Sequence, residues 1–402
     1  MPRTKKNGFS ISWTEKGESA IRVGKGLFED GNGVFVDTLR EISGKKDPKV
    51  FLVADANVVQ KTDQLGVKIG RMLSSAGIEI AGSPMILPGG ERVKNDDFAT
   101  VGRISKAVFD ARLSTDDCIV AIGGGTVIDV AGFAAAEVRG GMKFSIVPTT
   151  PLAAVESTFM TSAAVDNYGV KDAMMVRSAP SAAFVDPDFS ATVLDGVWRG
   201  GLGALTRYAA ARDGSLFKRI VSEKDALKSR DMEAFSSILE SAVVSKAKKG
   251  GTDLGLWAAH RLESMSGFKL PHGYAVPMGV CIDCAYGVKS GVLSEEDAGA
   301  ICSLFEDFGA LEGFAHSHHI LGRVHIILRG IDTWRLSGHS SHEIPSAPGK
   351  TVKVEKPERG IYGAVLDELV AEIMKSSNKE QDGDSPDAAP EELGKEDENE
   401  NN

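Results

Sequence analysis

The chain has 402 residues, of which 42% are hydrophobic and 25% charged, a composition typical of a globular protein with room for two domains. Its formal net charge of −10 is concentrated in residues 376–402, which contain ten acidic residues and two lysines. No basic patch with interleaved aromatic residues indicates nucleic-acid binding, and no apolar run approaches the ~20 residues of a membrane span.

Both ends of the chain are polar. Residues 376–402 contain one leucine and no aromatic residue, so we expect a disordered acidic tail that serves either solubility or partner binding. The first residues are basic but lack the apolar segment of a secretory signal, and the chain has only four cysteines. We therefore expect a cytoplasmic protein with reduced thiols and with neither a membrane nor a nucleic-acid partner.

Short apolar segments alternate with helical patterns through the first 200 residues. The segments Lys49–Val59, Asp117–Gly125, Phe144–Thr150 and Ala182–Pro187 are typical of buried strands, and Thr126–Val138 has helical spacing. This alternation predicts an α/β domain over residues 1–200 with a mainly parallel sheet covered by helices.

The pattern changes after about residue 200. Segments such as RDMEAFSSILESAVVSKAKK have apolar residues at i, i+3 and i+4 and few strand signals. Residues 201–375 are therefore predicted to form an all-α domain, and residues 376–402 the tail.

Three consecutive glycines, Gly123 to Gly125, stand between a predicted strand and a predicted helix. Glycine allows close approach to the backbone, and the amino end of a helix attracts anionic oxygens, so this junction is a candidate phosphate site. The pattern is not GxGxxG, because Ile128 stands at its last position. A tight turn packed for steric reasons is the alternative.

Further polar residues follow the other predicted strands. In an open parallel sheet, ligands bind beyond the carboxyl ends of the strands, so these side chains are expected to surround one nucleotide. They are Asp55, Asn57, Glu91, Lys94, Thr149 and Thr150, with Asp129 one turn into the helix.

Five stretches together resemble 3-dehydroquinate synthase and the related sugar-phosphate cyclases: PGGERVK, GGGTVIDVAGF, RGGMKFSIVPTT, AAVDNYGVKDAM and FVDPDFSATV. The resemblance runs from Asp55 to Thr192 and resumes through LPHGYAVPMGV. The RGG and VPTT elements favour this branch over glycerol dehydrogenase and the iron-dependent alcohol dehydrogenases of the same superfamily.

The resemblance implies an NAD-binding α/β domain, a helical C-terminal domain, an active site in the cleft between them, and a homodimer. The implied small-molecule partner is a sugar phosphate or polyol. The resemblance assigns NAD binding to Asp55, Asn57, Glu91, Lys94, Gly124, Gly125, Asp129, Thr149, Thr150, Lys171, Phe189 and Thr192.

The family reaction is an NAD-assisted elimination of phosphate from a seven-carbon sugar phosphate, followed by closure of a carbocycle. It implies a divalent metal, usually zinc, held by a glutamate and two histidines. The corresponding positions here are Ala204, Leu256 and His272, and only His272 has a lone pair to donate. One histidine does not hold a catalytic zinc, so this expected metal is doubtful.

The substrate side of the motif set is also changed. Ser162 stands where the family has lysine, Arg207 replaces another lysine, Glu156 replaces aspartate, and Asp253 replaces asparagine. Losing cations from a site for phosphate and carboxylate weakens substrate binding. The catalytic positions that remain as candidates by resemblance are His272, His260, Arg139, Lys246 and Arg207.

Two other groups of residues have alternative interpretations. The late histidines either form a relocated metal site or a polar surface at the rim of the cleft: His316, His318, His319, His325, His339 and His342. Cys281 and Cys284 have no second cysteine pair, which favours core packing.

Two functional hypotheses remain. The first is a divergent NAD-dependent lyase or oxidoreductase of the sugar-phosphate cyclase type, with His272 or His260 as general base and with changed or impaired standard activity. The second is a non-catalytic NAD-binding paralogue with a regulatory or interaction role.

Overall fold

A computed structural model describes residues 17–61 and 65–382 of the chain. Its first part alternates strands and helices as the sequence predicts. The strands of this part are β1 (Ala20–Val23), β2 (Val50–Asp55), β3 (Met85–Leu87), β4 (Cys118–Gly123), β5 (Lys143–Pro148), β6 (Ser162–Asn167), β7 (Val170–Arg177) and β8 (Ala182–Val185). The helices are α1 (Val34–Ser43), α2 (Ala56–Lys61), α3 (Leu65–Ser75), α4 (Ala99–Asp110), α5 (Gly125–Glu137) and α6 (Pro151–Glu156).

Six of these strands form one sheet in the order β1-β8-β5-β4-β2-β3, and every pairing in it is parallel. Strands β6 and β7 form a separate antiparallel hairpin. All six carboxyl ends of the parallel strands therefore meet at one edge of the sheet, with β4 and β5 near its centre.

Alternate residues of the central strands enter two different cores. In β2, Phe51 and Val53 pack on one side of the sheet, against α4 and α5, whereas Leu52 packs on the other side, against α1 and α3. Both faces of β2 and β4 are buried, which explains their nearly continuous apolar sequences.

The second part is helical and has its own core, which also covers α6. Its helices are α7 (Asp195–Arg212), α8 (Gly214–Ser222), α9 (Lys224–Lys228), α10 (Met232–Lys249), α11 (Leu256–Met265), α12 (His272–Lys289), α13 (Glu295–Asp307), α14 (Gly313–His316), α15 (His318–Leu321), α16 (Val324–Ile327), α17 (Arg329–Leu336) and α18 (Arg359–Asp382). This domain also contains an antiparallel hairpin, β9 (His342–Ala347) and β10 (Lys350–Val354), which the sequence analysis did not anticipate.

The predicted α/β and helical organisation is confirmed, with local differences. The segment after Asp55, predicted as the end of the strand Lys49–Val59, is helix α2, and α7 crosses the predicted boundary at residue 200. Helix α18 continues to Asp382, so residues 376–382 of the predicted tail are helical, and the remainder of the tail lies outside the described residues. Among the described residues, no helix is both long and apolar enough to cross a membrane.

Helices α11 and α12 approach each other so closely that only glycine fits at two positions. Gly255, at φ +78°, would place a Cβ atom 2.6 Å from the amide nitrogen of Val280. A Cβ atom on Gly279 would lie 2.9 Å from the carbonyl carbon of Gly255. Both contacts are with backbone, which cannot rotate away, so a larger residue at either position would force the two helices apart.

The substitution Gly279→Ala is expected to lower the free energy of unfolding by about 1–3 kcal/mol, because the new methyl group forces the helices apart. Urea denaturation measures the change. The matched control is Gly102→Ala in helix α4, where a Cβ atom meets nothing within 4 Å and alanine improves helix propensity. A Gly279→Ala protein as stable as the control variant would contradict this packing.

Candidate functional site

The glycine turn lies at the mouth of a cleft of about 550 Å³ between the two domains. Gly124 is the N-cap of α5 and provides no side chain to accept from the first-turn amides. These N–H groups and the helix dipole face the cleft, where Gly124, Gly125 and Thr126 line the wall. The turn therefore fits an anionic phosphate, as the sequence predicts for NAD.

The ends of β2 and β3 meet beside this turn. Asp55 Oδ1 accepts hydrogen bonds from the amide and the side-chain nitrogen of Asn57, at 2.7 and 3.0 Å. A Cβ atom on Gly89 would lie 2.6 Å from Asp55 Oδ2, so the Pro-Gly-Gly turn must stay free of side chains to pass this pair.

Two threonines follow β5 at the same edge. Thr150 caps helix α6 by accepting from the amide of Ala153 at 3.2 Å, and it lines the cleft. The Thr149 hydroxyl is buried and has no hydrogen-bond partner among the described residues. A buried hydroxyl without a partner costs free energy, so a polar ligand group at this edge would relieve that cost.

Lys94 is the centre of a buried ion-pair network on the floor of the cleft. Its Nζ atom lies 2.7 Å from both Asp129 Oδ2 and Asp172 Oδ1, and its side chain is 3% exposed. Burial alone would lower the pKa of Lys94, but Asp129 and Asp172 outweigh it and raise that pKa well above its usual value.

Lys171 extends this network toward the helical domain. It pairs with Glu91 and lies 3.5 Å from Asp172, 3.7 Å from Asp166 and 3.9 Å from Glu263. Burial, together with the neighbouring carboxylate of Glu91, raises the pKa of Asp166 to about 7 despite the two lysines. The predicted cofactor residues Glu91, Lys94, Asp129 and Lys171 are thus neighbours, as the sequence analysis expected.

His272, which lines the cleft, lies beside His260 and Glu263 of helix α11. His272 Nδ1 lies 2.8 Å from Glu263 Oε1, and the two imidazole rings are 5.9 Å apart between centroids. Each of the three residues offers one possible ligand atom, and these three atoms all lie within 4.8 Å of one another. Burial lowers the pKa of His260 to about 4, whereas Glu263 outweighs burial and raises the pKa of His272.

The positions that the resemblance assigns to metal ligands do not fit a metal. Ala204, which is buried in α7, and His272 line a cavity of only about 10 Å³, space for about one water molecule. Leu256 begins α11 and packs against the helical core. Neither side chain can donate an electron pair, so the expected zinc triad is absent from these positions.

Two of the predicted catalytic cations are already paired inside the protein. Glu156 accepts from Arg207 Nη2 at 3.1 Å and from Lys246 Nζ at 2.9 Å. Arg207 also donates to the carbonyl of Thr252, and Lys246 to the carbonyl of Val155. Burial alone would raise the pKa of Glu156, but the two cations outweigh it and lower the pKa to about 2.

Because the pKa of Glu156 is lowered, the difference in unfolding free energy between the native chain and Glu156→Gln should depend on pH. The ionised carboxylate stabilises the fold by about 3 kcal/mol above the ordinary glutamate pKa. That contribution is lost as pH falls through the range from 4.5 to about 2. We expect the variant to be less stable than the native chain at pH 7 and the difference to shrink toward pH 3 in urea titrations. A pH-independent difference would contradict the ion pairing.

Arg139 does not belong to the cleft of this chain. It follows α5 at the opposite edge of the sheet, where its Nε donates to the carbonyl of Leu113 at 3.0 Å and its guanidinium covers the ring of Phe109. Within one chain Arg139 therefore lies away from the glycine turn, because α5 separates the two, and its catalytic role stays a prediction. Phe189 packs on Phe28, and Thr192 is exposed just before the residues of α7 that line the cleft.

The late histidines are dispersed. His342 is buried against Trp257, and neither of its ring nitrogens has a partner among the described residues, so it is not part of a polar surface. His339 stacks on Trp334 at 3.6 Å, whereas His319 and His325 are exposed. The side chains of His316 and His318 lie outside the described residues. Cys284 is buried in α12 and Cys281 half-buried, as expected for packing.

Sequence reasoning missed Glu263, Asp166 and Asp172. Glu263 follows His260 by three residues in α11, and this i, i+3 spacing on a helix was a usable signal. Asp166 and Asp172 lie in AAVDNYGVKDAM, the motif from which only Lys171 was assigned. Their side chains reach the ion-pair network because the β6–β7 hairpin brings them there.

The parallel sheet, its glycine turn and the helical domain across the cleft define a two-domain class of proteins with the dehydroquinate synthase-like fold. Family comparison specifies it further. The family model described as "3-dehydroquinate synthase N-terminal" matches residues 84–198, and the model described as "3-dehydroquinate synthase C-terminal" matches residues 201–318. The chain belongs to the 3-dehydroquinate synthase family.

Individual relatives agree with this assignment. The 3-dehydroquinate synthase of Nostoc punctiforme is 30% identical over an alignment of 267 residues, and the match covers 63% of this chain and 72% of the relative. The 2-epi-5-epi-valiolone synthase of Streptomyces hygroscopicus subsp. jinggangensis, solved with NAD+ and Zn2+, is 18% identical with a TM-score of 0.76 over 90% of this chain and all of that one. A 2-deoxy-scyllo-inosose synthase solved with carbaglucose-6-phosphate, NAD+ and Co2+ has a TM-score of 0.66 at 18% identity, over 87% and 96% of the two chains.

Proposed function

We propose that this chain binds NAD beside the glycine turn and does not perform the phosphate elimination of its family at a normal rate. The observation that carries the proposal is a contrast across one cleft. On the cofactor side, neither the first-turn amides of α5 nor the Thr149 hydroxyl has a side-chain partner within the part of the chain that the structure describes. On the substrate side, both Arg207 and Lys246 are paired with Glu156 and are not free to bind a phosphate.

NAD, when bound, would supply a hydride acceptor. The residues present would then act on a hydroxyl group of a polyol or sugar phosphate. Glu263 holds His272 through Nδ1, which leaves Nε2 as the nitrogen able to accept a proton when no metal is bound. We therefore propose hydride exchange with a secondary hydroxyl as the retained part of the family chemistry.

Calorimetric titration with NAD tests the cofactor assignment. The native chain is expected to bind one equivalent, and Gly125→Val to bind none, because the valine fills the space that the glycine leaves beside the helix terminus. A Cβ atom at Gly125 meets only Ser157 Oγ, at 3.6 Å, so this variant is expected to fold. Gly102→Ala serves as the control. Absence of NAD binding by the native chain would refute the proposal.

A non-catalytic NAD-binding protein is the second candidate, and the pairing of Glu156 with Arg207 and Lys246 also favours it. The two candidates differ in whether bound NAD is reduced. Fluorescence of NADH is followed after polyols and sugar phosphates are added to the NAD complex. A signal that depends on His272 supports hydride exchange, and its absence across the substrate set supports the non-catalytic role.

A further inference from the structure

We propose that His260, Glu263 and His272 form a binding site for one divalent transition-metal ion beside the wall of the cleft that His272 lines. Only His272 coincides with a ligand position that the family resemblance assigns. The site shares His272 with the proposed hydride exchange, but none of its three residues lies at the glycine turn, so metal binding and NAD binding can be measured separately.

The local structure places the three donors together. His260 and Glu263 are three residues apart on α11 and so occupy one face of it, whereas His272 is the first residue of α12. Their nearest ligand atoms are mutually within 4.8 Å, and the closest pair is 2.8 Å apart. Ligands around a tetrahedral zinc are separated by roughly 3.4 Å, which these side chains reach by small rotations.

The donor set is suited to zinc and similar ions. Two imidazoles and one carboxylate are the protein ligands of a common class of zinc site that keeps a fourth position open. His272 lines the main cleft, so an open position would face the space where a substrate enters. Glu263 is 2% exposed and is held by its neighbours, which limits its loss of side-chain freedom on binding a metal.

The surrounding charges favour a cation. The network of ion pairs that reaches Glu263 contains two lysines and five carboxylates: Lys94, Lys171, Glu91, Asp129, Asp166, Asp172 and Glu263. Lys171 lies 3.9 Å from Glu263 and opposes a metal there, but it has three other carboxylate neighbours. Asp172 lies 3.9 Å from His260 Nε2, too far for a hydrogen bond but near enough to add negative charge beside that ring.

A metal in this position would lie one helical turn from the one that the resemblance implies. Leu256 and His260 lie four positions apart in α11 and therefore on the same face of the helix. The leucine cannot donate, and His260 can. A bound cation would take the ring nitrogens and so replace the proton-accepting role that His272 has in the metal-free protein.

Titration of the full chain with Co2+ after dialysis against a chelator tests the proposal. We expect one equivalent to bind with the visible absorption of four-coordinate cobalt and to be displaced by Zn2+. His260→Ala and Glu263→Gln should each weaken binding by at least about 100-fold, because even residues that only orient a ligand contribute 10–100-fold. His325→Ala, which removes an exposed histidine outside the cluster, should bind as the native chain does.

Two results would overturn the assignment: a native chain that binds no stoichiometric cobalt, or trio variants that bind it as tightly as His325→Ala. Circular dichroism and NAD titration of each variant establish that it is folded. If Glu263→Gln does not fold, His260→Ala decides the question, since the His260 side chain is 25% exposed. Loss of NAD binding in a native chain that retains cobalt would refute the proposed function and leave the metal site standing.

Discussion

Purified protein supplied with NAD, zinc and 3-deoxy-arabino-heptulosonate phosphate is expected to release phosphate at least about 1,000-fold more slowly than the Nostoc punctiforme relative. That factor corresponds to about 4 kcal/mol of lost transition-state stabilisation. Arg207 and Lys246 form ion pairs with Glu156, and Ala204 and Leu256 contribute no metal ligand. The loss therefore affects both substrate binding and the polarisation of the reacting hydroxyl.

The comparison uses the relative as a positive control in the same buffer, with and without added zinc. A metal bound by His260, Glu263 and His272 would not restore the elimination, because the cations for the phosphate remain paired. Phosphate release near the rate of the relative would show that Glu156 yields its partners to the substrate, and the proposed loss of activity would then be wrong.

The substitution Lys94→Met is expected to destabilise the fold by about 3 kcal/mol, because it leaves the half-buried Asp129 without its cation and Asp172 with only Lys171, at 3.5 Å. Lys94 is 3% exposed and lies 2.7 Å from both Asp129 and Asp172. Its raised pKa means that its stabilising contribution is complete below the ordinary lysine value of 10.5, and therefore at pH 7, and is lost only at strongly alkaline pH.

Lys106→Met is the matched control. Lys106 pairs with Asp110 on α4, but both side chains are more than half exposed, so the pair contributes at most about 1 kcal/mol. Chemical denaturation at pH 7 should therefore show a several-fold larger loss of unfolding free energy for Lys94→Met than for Lys106→Met. The Lys94→Met loss should diminish at acidic pH, where Asp129 and Asp172 take up protons. Equal effects of the two substitutions would contradict a buried role for Lys94.

The parts of the fold that the sequence predicted depend on local patterns. The apolar segment and glycines around β4 define both the strand and the amino end of α5, because backbone freedom and burial are properties of adjacent residues. The hairpin β9–β10 was not predicted, since its histidines suggested a surface. In the structure Glu343 pairs with Arg212 and accepts from Thr252, so a distant part of the chain determines its burial.

The same distinction applies to the site. The common location of Asp55, Asn57, Thr149 and Thr150 could be predicted, because each lies at or just after the carboxyl end of a parallel strand and such strands end at one edge. The partners of Glu156 could not, because Arg207 lies 51 residues away and Lys246 lies 90 residues away along the chain. The position of Arg139 could not be predicted either: the resemblance named the residue, but a whole helix, α5, separates it from the glycine turn.

The contact between Gly255 and Gly279 has a consequence for how this cleft can change. A larger residue at either position would strain both backbones, so the helices that carry His260, Glu263 and His272 form a frame whose spacing tolerates little change. New ligand preferences must therefore arise by exchanging side chains on that frame rather than by remodelling it. Ligand selectivity should accordingly be transferable between chains of this fold by grafting a few positions of α7, α11 and α12.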